Sequence, residues 1–117
     1  MGYLQKRGAA FKYAFKGVYW LFIHESHAKI HLCAAVCVIF AGFIFHISSS
    51  EWCVICLCIG LVFTAEGVNT AIEKLADKIS KEKDPLIGIA KDVAAGSVLL
   101  AVLSALAIAS IIFIPKL

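Results

Sequence analysis

From Val93 to Ile114 the chain runs without a charged side chain before stopping at Pro115. Coiled as a helix, a run of that length crosses the roughly 30 Å apolar layer of a bilayer. Helix is the form this run can take in lipid, because every backbone N–H and C=O must find its partner inside the segment. Ile30 to Ile47 is a second stretch free of Asp, Glu, Lys and Arg. Trp52 to Ala65 is a third, too short to cross alone, so its helix must continue into the polar residues that follow. The Ser48–Glu51 segment between the two reads as a short polar turn. With 62% apolar residues and a mean hydropathy of +0.92 in 117 residues, the chain lies far from the ~45–50% apolar content of water-soluble domains.

The expected architecture is therefore an all-α membrane protein forming a single domain over 1–117. An interfacial helix falls within 1–28, and spans fall at 29–47, 52–80 with a cytoplasmic extension, and 85–114. In the first segment Leu4, Phe11, Ala14, Phe15, Val18 and Phe22 share one helical face, while Lys12, Tyr13, Lys16 and Trp20 lie opposite. Such an amphipathic pattern, with aromatic rings beside lysines, suits a surface helix at headgroup level. Asp84-Pro85 reads as an N-cap followed by proline at the first helical position of the last span. Ser97, Ala101, Ala105 and Ala109 give that span a small-residue stripe against which another helix can pack closely.

Lysines and arginine cluster before the first span (Lys6, Arg7, Lys12, Lys16, Lys29) and between the second and third (Lys74, Lys78, Lys81, Lys83, Lys91), whereas the Ser48–Glu51 turn has none. This asymmetry puts the N-terminus and the second connection in the cytoplasm. A net charge of +3 carried by residues flanking apolar spans gives no basic face for nucleic acid. Cys33, Cys37, Cys53, Cys56 and Cys58 all fall inside apolar stretches and read as small membrane hydrophobes, with no second pair or facing histidine to complete a site around the Cys53/Cys56 spacing. His24, His27 and His31 read as interfacial polar positions. Three short spans enclose little interior, so a homo-oligomer is expected.

The chemistry gathers where the second span leaves the lipid. Glu66, Asn69, Glu73 and Asp77 follow one another by three, four and four residues, which at about 100° per residue stacks them on one narrow face. Three carboxylates on one stripe repel each other and call for a cation or basic partner. Carboxylates, an amide and a nearby lysine are what magnesium–nucleotide chemistry uses: hard oxygen donors for the metal and an ammonium to offset phosphate charge. Lys91 and Asp92 at the start of the third span, and Glu25 just before the first, add to this set at similar depth. The chain lacks G-x-x-x-x-G-K-[ST] and the motif set of soluble kinases, so any phosphate cradle must be built from side chains. Periodicity alone leaves open a solvated helix end supported by neighbouring charge pairs.

The run Glu66-Gly67-Val68-Asn69-Thr70-Ala71-Ile72-Glu73-Lys74-Leu75-Ala76-Asp77 closely resembles the signature of the small prokaryotic diacylglycerol kinases, which include the undecaprenol kinases. The resemblance extends through Ala90-Lys91-Asp92-Val93-Ala94-Ala95-Gly96 and, with the Lys16-Gly17 and Glu25 regions, covers nearly the whole chain. It implies a homotrimer in the bacterial inner membrane that uses magnesium and ATP to phosphorylate a lipid hydroxyl. It implies Glu66 as general base, Glu25 and Glu73 as magnesium ligands, and Lys91 as the cation facing the phosphates. Asn69, Asp77, Glu82 and Asp92 would orient the nucleotide or the catalytic groups, with Lys6 or Arg7 helping near the interface. Ala76 departs from the valine usual in the signature, a change of packing. Asp84 stands where many relatives have a histidine near the nucleotide, which puts that contact in doubt. The Glu51-Trp52 start, the Lys29–Leu32 run and the Phe113–Lys116 ending resemble the undecaprenol branch, in which His31 would be structural or lipid-facing. Two other classes compete: a small oligomeric transporter using Glu66 as an intramembrane carboxylate, and a non-enzymatic membrane subunit.

Overall fold

The computed structural model describes residues 2–80 and 82–117; Met1, at the start of the expected interfacial segment, and Lys81, one of the loop lysines, lie outside them. Four helices follow in order: α1 (Tyr3–His24), α2 (Ser26–Ile44), α3 (Ser49–Ile79) and α4 (Pro85–Phe113), with a terminal 3-10 turn at Ile114–Lys116. The last three are long and apolar enough to cross a membrane.

Three boundaries differ from expectation: both ends of α2 and the start of α3. α2 begins at Ser26 and ends at Ile44, earlier at both ends than the expected span. It ends there because His46 takes a left-handed φ of 52° and the Ile47 N–H donates to the Gly42 carbonyl at 3.2 Å. This is a Schellman closure in which histidine occupies the position glycine usually fills. The serine cluster, expected as a turn, instead opens α3. Ser48 is the N-cap, its Oγ accepts from the Glu51 N–H at 3.2 Å, and Glu51 Oε1 accepts from the Ser48 N–H at 2.9 Å. This reciprocal pairing satisfies two otherwise orphaned donors and is worth about 1 kcal/mol. The other oxygen of Glu51 accepts from Lys116 Nζ at 3.0 Å, so Lys116 is neutralised beside the capped start of α3. At the start of α4, Asp84 and Pro85 do what the sequence indicates, with Asp84 Oδ1 accepting from the Leu86 N–H at 2.9 Å.

The main pairing is α3 on α4, with α2 laid against α3. At the end near the Ser48–Glu51 turn, Ile47, Ile55 and Ile112 form a buried cluster, walled by Trp52, Phe45 and Phe113. Along α4, Ala94 and Ala101 are buried, while Ser97 of the expected stripe is exposed and its hydroxyl donates to the Val93 carbonyl. Ala101 therefore carries the close approach, and Ala105 and Ala109 line a space between helices instead. α1 buries none of its residues. It is attached through its last turns, where Phe22 meets Phe63 edge-on at 5.1 Å and Lys74 Nζ sits 5.2 Å above the Trp20 ring.

Gly42 is buried where α2 meets Trp52, and a Cβ built there would lie 2.6 and 2.8 Å from ring atoms of that indole. Since a rigid aromatic cannot yield as a flexible chain end does, Gly42→Ala is expected to destabilise the fold by about 1–3 kcal/mol. Unfolding in mixed micelles of rising SDS fraction measures this; an unchanged midpoint would mean that the ring moves aside without loss.

Candidate functional site

The stripe on α3 forms a gradient of burial rather than a uniformly solvated face. The Glu66 side chain is 4% exposed and that of Asp77 is 66% exposed, with Asn69 and Glu73 half-buried between them and Thr70 buried on the same side. A solvated helix end does not bury its first carboxylate. Nor are the polar atoms here all satisfied, since Asn69 Oδ1 and Thr70 Oγ1 are buried without a hydrogen-bond partner. Buried polar atoms left in this state cost stability and call for a partner of their own.

At the buried end, His31 of α2 meets Glu66, Nε2 to Oε2, at 3.5 Å. Of the two expectations for His31, structural or lipid-facing, the contact corrects the second: the ring faces Glu66. The two histidines before it on the chain lie elsewhere. His24 stacks on Trp20 at 4.6 Å and places Nδ1 3.0 Å from that residue's carbonyl oxygen, and His27 is exposed. A signal for His31 was present in the sequence. An intramembrane carboxylate needs a polar partner, and His31 is the second residue of the uncharged Ile30–Ile47 run, at the end nearer the N-terminus.

At the exposed end, Lys91 Nζ of α4 donates to Asp77 Oδ1 at 3.0 Å, and Glu73 lies within electrostatic reach of the same ammonium. The α3–α4 pairing thus supplies the cation that the stripe demands. Asp92, next along α4, is exposed. Glu82 is exposed in the α3–α4 connection, where its carbonyl accepts from the Ser80 hydroxyl at 2.6 Å. Glu25, expected on the first helix, stands instead at the break between α1 and α2, with φ −98° and ψ 119°, half-buried. Lys6 and Arg7 are exposed on α1, and Arg7 lies over the Tyr3 ring at 5.0 Å. Asp84 Oδ1 is engaged by its own helix cap, accepting from the Leu86 N–H.

Among the described residues, no group of three or more His, Cys, Asp and Glu side chains gathers to hold a metal. The carboxylates of Glu25 and Glu73 still fit magnesium by donor chemistry. That ion is bound through one or two carboxylates, with water and phosphate oxygens filling the remaining octahedral positions.

The family profile described as prokaryotic diacylglycerol kinase matches residues 12–113. The chain is 38% identical to an undecaprenol kinase of Bacillus subtilis over 108 residues, 92% of this chain and 88% of that one. It is 35% identical to a diacylglycerol kinase of Synechocystis sp. over 109 residues, 92% of this chain and 62% of that one. Neither comparison supports a transporter.

Proposed function

The chain belongs to the prokaryotic diacylglycerol kinase family and is a lipid kinase, and from that premise we propose that it transfers the γ-phosphoryl group of ATP to the hydroxyl of undecaprenol, with Glu66 as the general base. The observation that carries the base assignment is the burial of Glu66 at the lipid end of a stripe whose other end holds a lysine–aspartate pair. A carboxylate at that position can accept a proton from a hydroxyl arriving out of the bilayer, while the phosphates approach from the aqueous end. As the lipid oxygen bonds to the γ-phosphorus, its proton passes to Glu66 and the bond to the ADP oxygen breaks. Lys91, held by Asp77, offsets charge on the phosphoryl oxygens in the transition state. Asn69, Glu82 and Asp92 orient the nucleotide. Magnesium, when bound by Glu25 and Glu73, neutralises phosphate charge.

Undecaprenol is favoured over diacylglycerol because the likeness to the Bacillus protein spans most of both chains. A homotrimer in the bacterial inner membrane, with its N-terminus cytoplasmic, completes the proposal. It is supported by the many large apolar side chains left exposed on α2, α3 and α4 and by the lysines of α1 and the α3–α4 connection. α1 then lies at the membrane surface, with exposed Leu4, Phe11, Phe15 and Val18 turned to lipid.

The test is transfer from labelled ATP by purified protein in mixed micelles, offering undecaprenol and diacylglycerol separately, with and without magnesium. Magnesium-dependent labelling of undecaprenol is expected. Labelling of diacylglycerol alone would overturn the choice of acceptor.

A further inference from the structure

We infer that His31 is a positioning residue for the Glu66 carboxylate, an inference that rests on the assignment of Glu66 as base. Three observations carry it.

First, Glu66 is 3% exposed, and a carboxylate that deep requires a polar partner to remain in place. Among the described residues, the ion-pair partner that reaches it is His31 Nε2, at 3.5 Å. That separation is within ion-pair range but longer than a settled N–H···O bond of about 2.7–3.2 Å, the loose geometry common before substrate closes a site. Second, the contact is made to one oxygen, Oε2. It therefore fixes the carboxylate's rotation and leaves Oε1 to receive the acceptor's proton, as a neighbouring group fixes the orientation of a catalytic base in other transferases and hydrolases. Third, the surroundings of His31 are apolar. It closes one end of a cavity of about 130 Å³ between α2, α3 and α4, whose walls include Ala35, Val62, Phe63 and Ala105. In such surroundings the pair is poorly screened, so the loss of His31 removes the ion-pair partner that reaches Glu66 among the described residues.

A misplacement of about 1 Å in a reacting group can cost on the order of 100-fold in rate. In the full-length protein in micelles, His31→Leu is accordingly expected to lower kcat about 10- to 100-fold with KM for ATP and for lipid within about threefold of the parent. His31→Gln places an amide nitrogen near the position of Nε2 and should recover most of kcat, whereas the shorter His31→Asn should not. Glu66→Gln is measured alongside. If Glu66→Gln is inactive while His31→Leu keeps the parental kcat, the positioning role is overturned and the base assignment stands. If Glu66→Gln is itself active, the base assignment falls and takes this inference with it. Should His31→Leu fail to fold, the Gln and Asn variants decide. Recovery by Gln but not by Asn supports positioning, and equal kcat in both overturns it.

Discussion

Glu66→Gln is expected to abolish phosphoryl transfer, lowering kcat by about 10²–10⁴-fold or more, while oligomer size and magnesium-dependent ATP binding stay near parental values. The substitution keeps the shape of the side chain and an oxygen that can face His31, so the packing of a residue only 3% exposed has little reason to change. What it removes is the capacity to take a proton from the acceptor hydroxyl. A base acts in the transition state, so the loss falls on kcat and kcat/KM together, and KM for ATP holds. Steady-state assays with both substrates, beside size-exclusion of the micellar protein, give the answer. A Glu66→Gln protein with more than a tenth of parental kcat would remove Glu66 from the base role.

Glu73→Gln is expected to act at the other substrate. It withdraws one formal charge from a half-buried position near Lys91 and leaves the Asp77–Lys91 pair intact. A unit charge about 4 Å from a cation is worth roughly 4 kcal/mol at an effective dielectric of 20. Solvent access and the remaining carboxylates reduce that figure, so the magnesium concentration for half-maximal rate is expected to rise about 10- to 100-fold, equivalent to about 1.4–2.8 kcal/mol. Titration of rate against magnesium at saturating ATP measures it. An unchanged midpoint would exclude Glu73 as a ligand.

These two carboxylates were legible in the sequence because the argument for them is confined to one helix. The period of an α-helix fixes which residues share a face, and the E-N-E-D spacing of α3 needs nothing else. The Asp84-Pro85 start of α4 was legible for the same reason, since a cap is a contact between neighbours in the chain. The Ser48–Glu51 box is equally local, with a hydroxyl and a carboxylate three residues apart, and reading it as a turn overlooked a signal that was present. The partner of Glu66 is a different matter. Periodicity sets where His31 points around α2 but not which helix stands opposite, and this depends on how α2 settles against α3. The break at Glu25 was also hidden, because no proline or glycine marks it. Its extended backbone is visible once α1 and α2 take their separate directions.

α3 runs unbroken from Ser49 to Ile79, and the rise from Ser49 to Glu66 is about 26 Å along its axis. The helix is therefore a depth gauge, holding Glu66, the proposed base, nearly one hydrocarbon thickness from the capped helix start at its far end. The acceptor's hydroxyl has no such gauge and rides wherever the headgroup layer carries it. The meeting of the two is consequently set by the bilayer as well as by the protein. Membranes whose apolar layer is thicker or thinner than this rise tilt or strain the helix by fractions of a kcal/mol per ångström, so lipid composition can modulate the rate with no effector touching the chain.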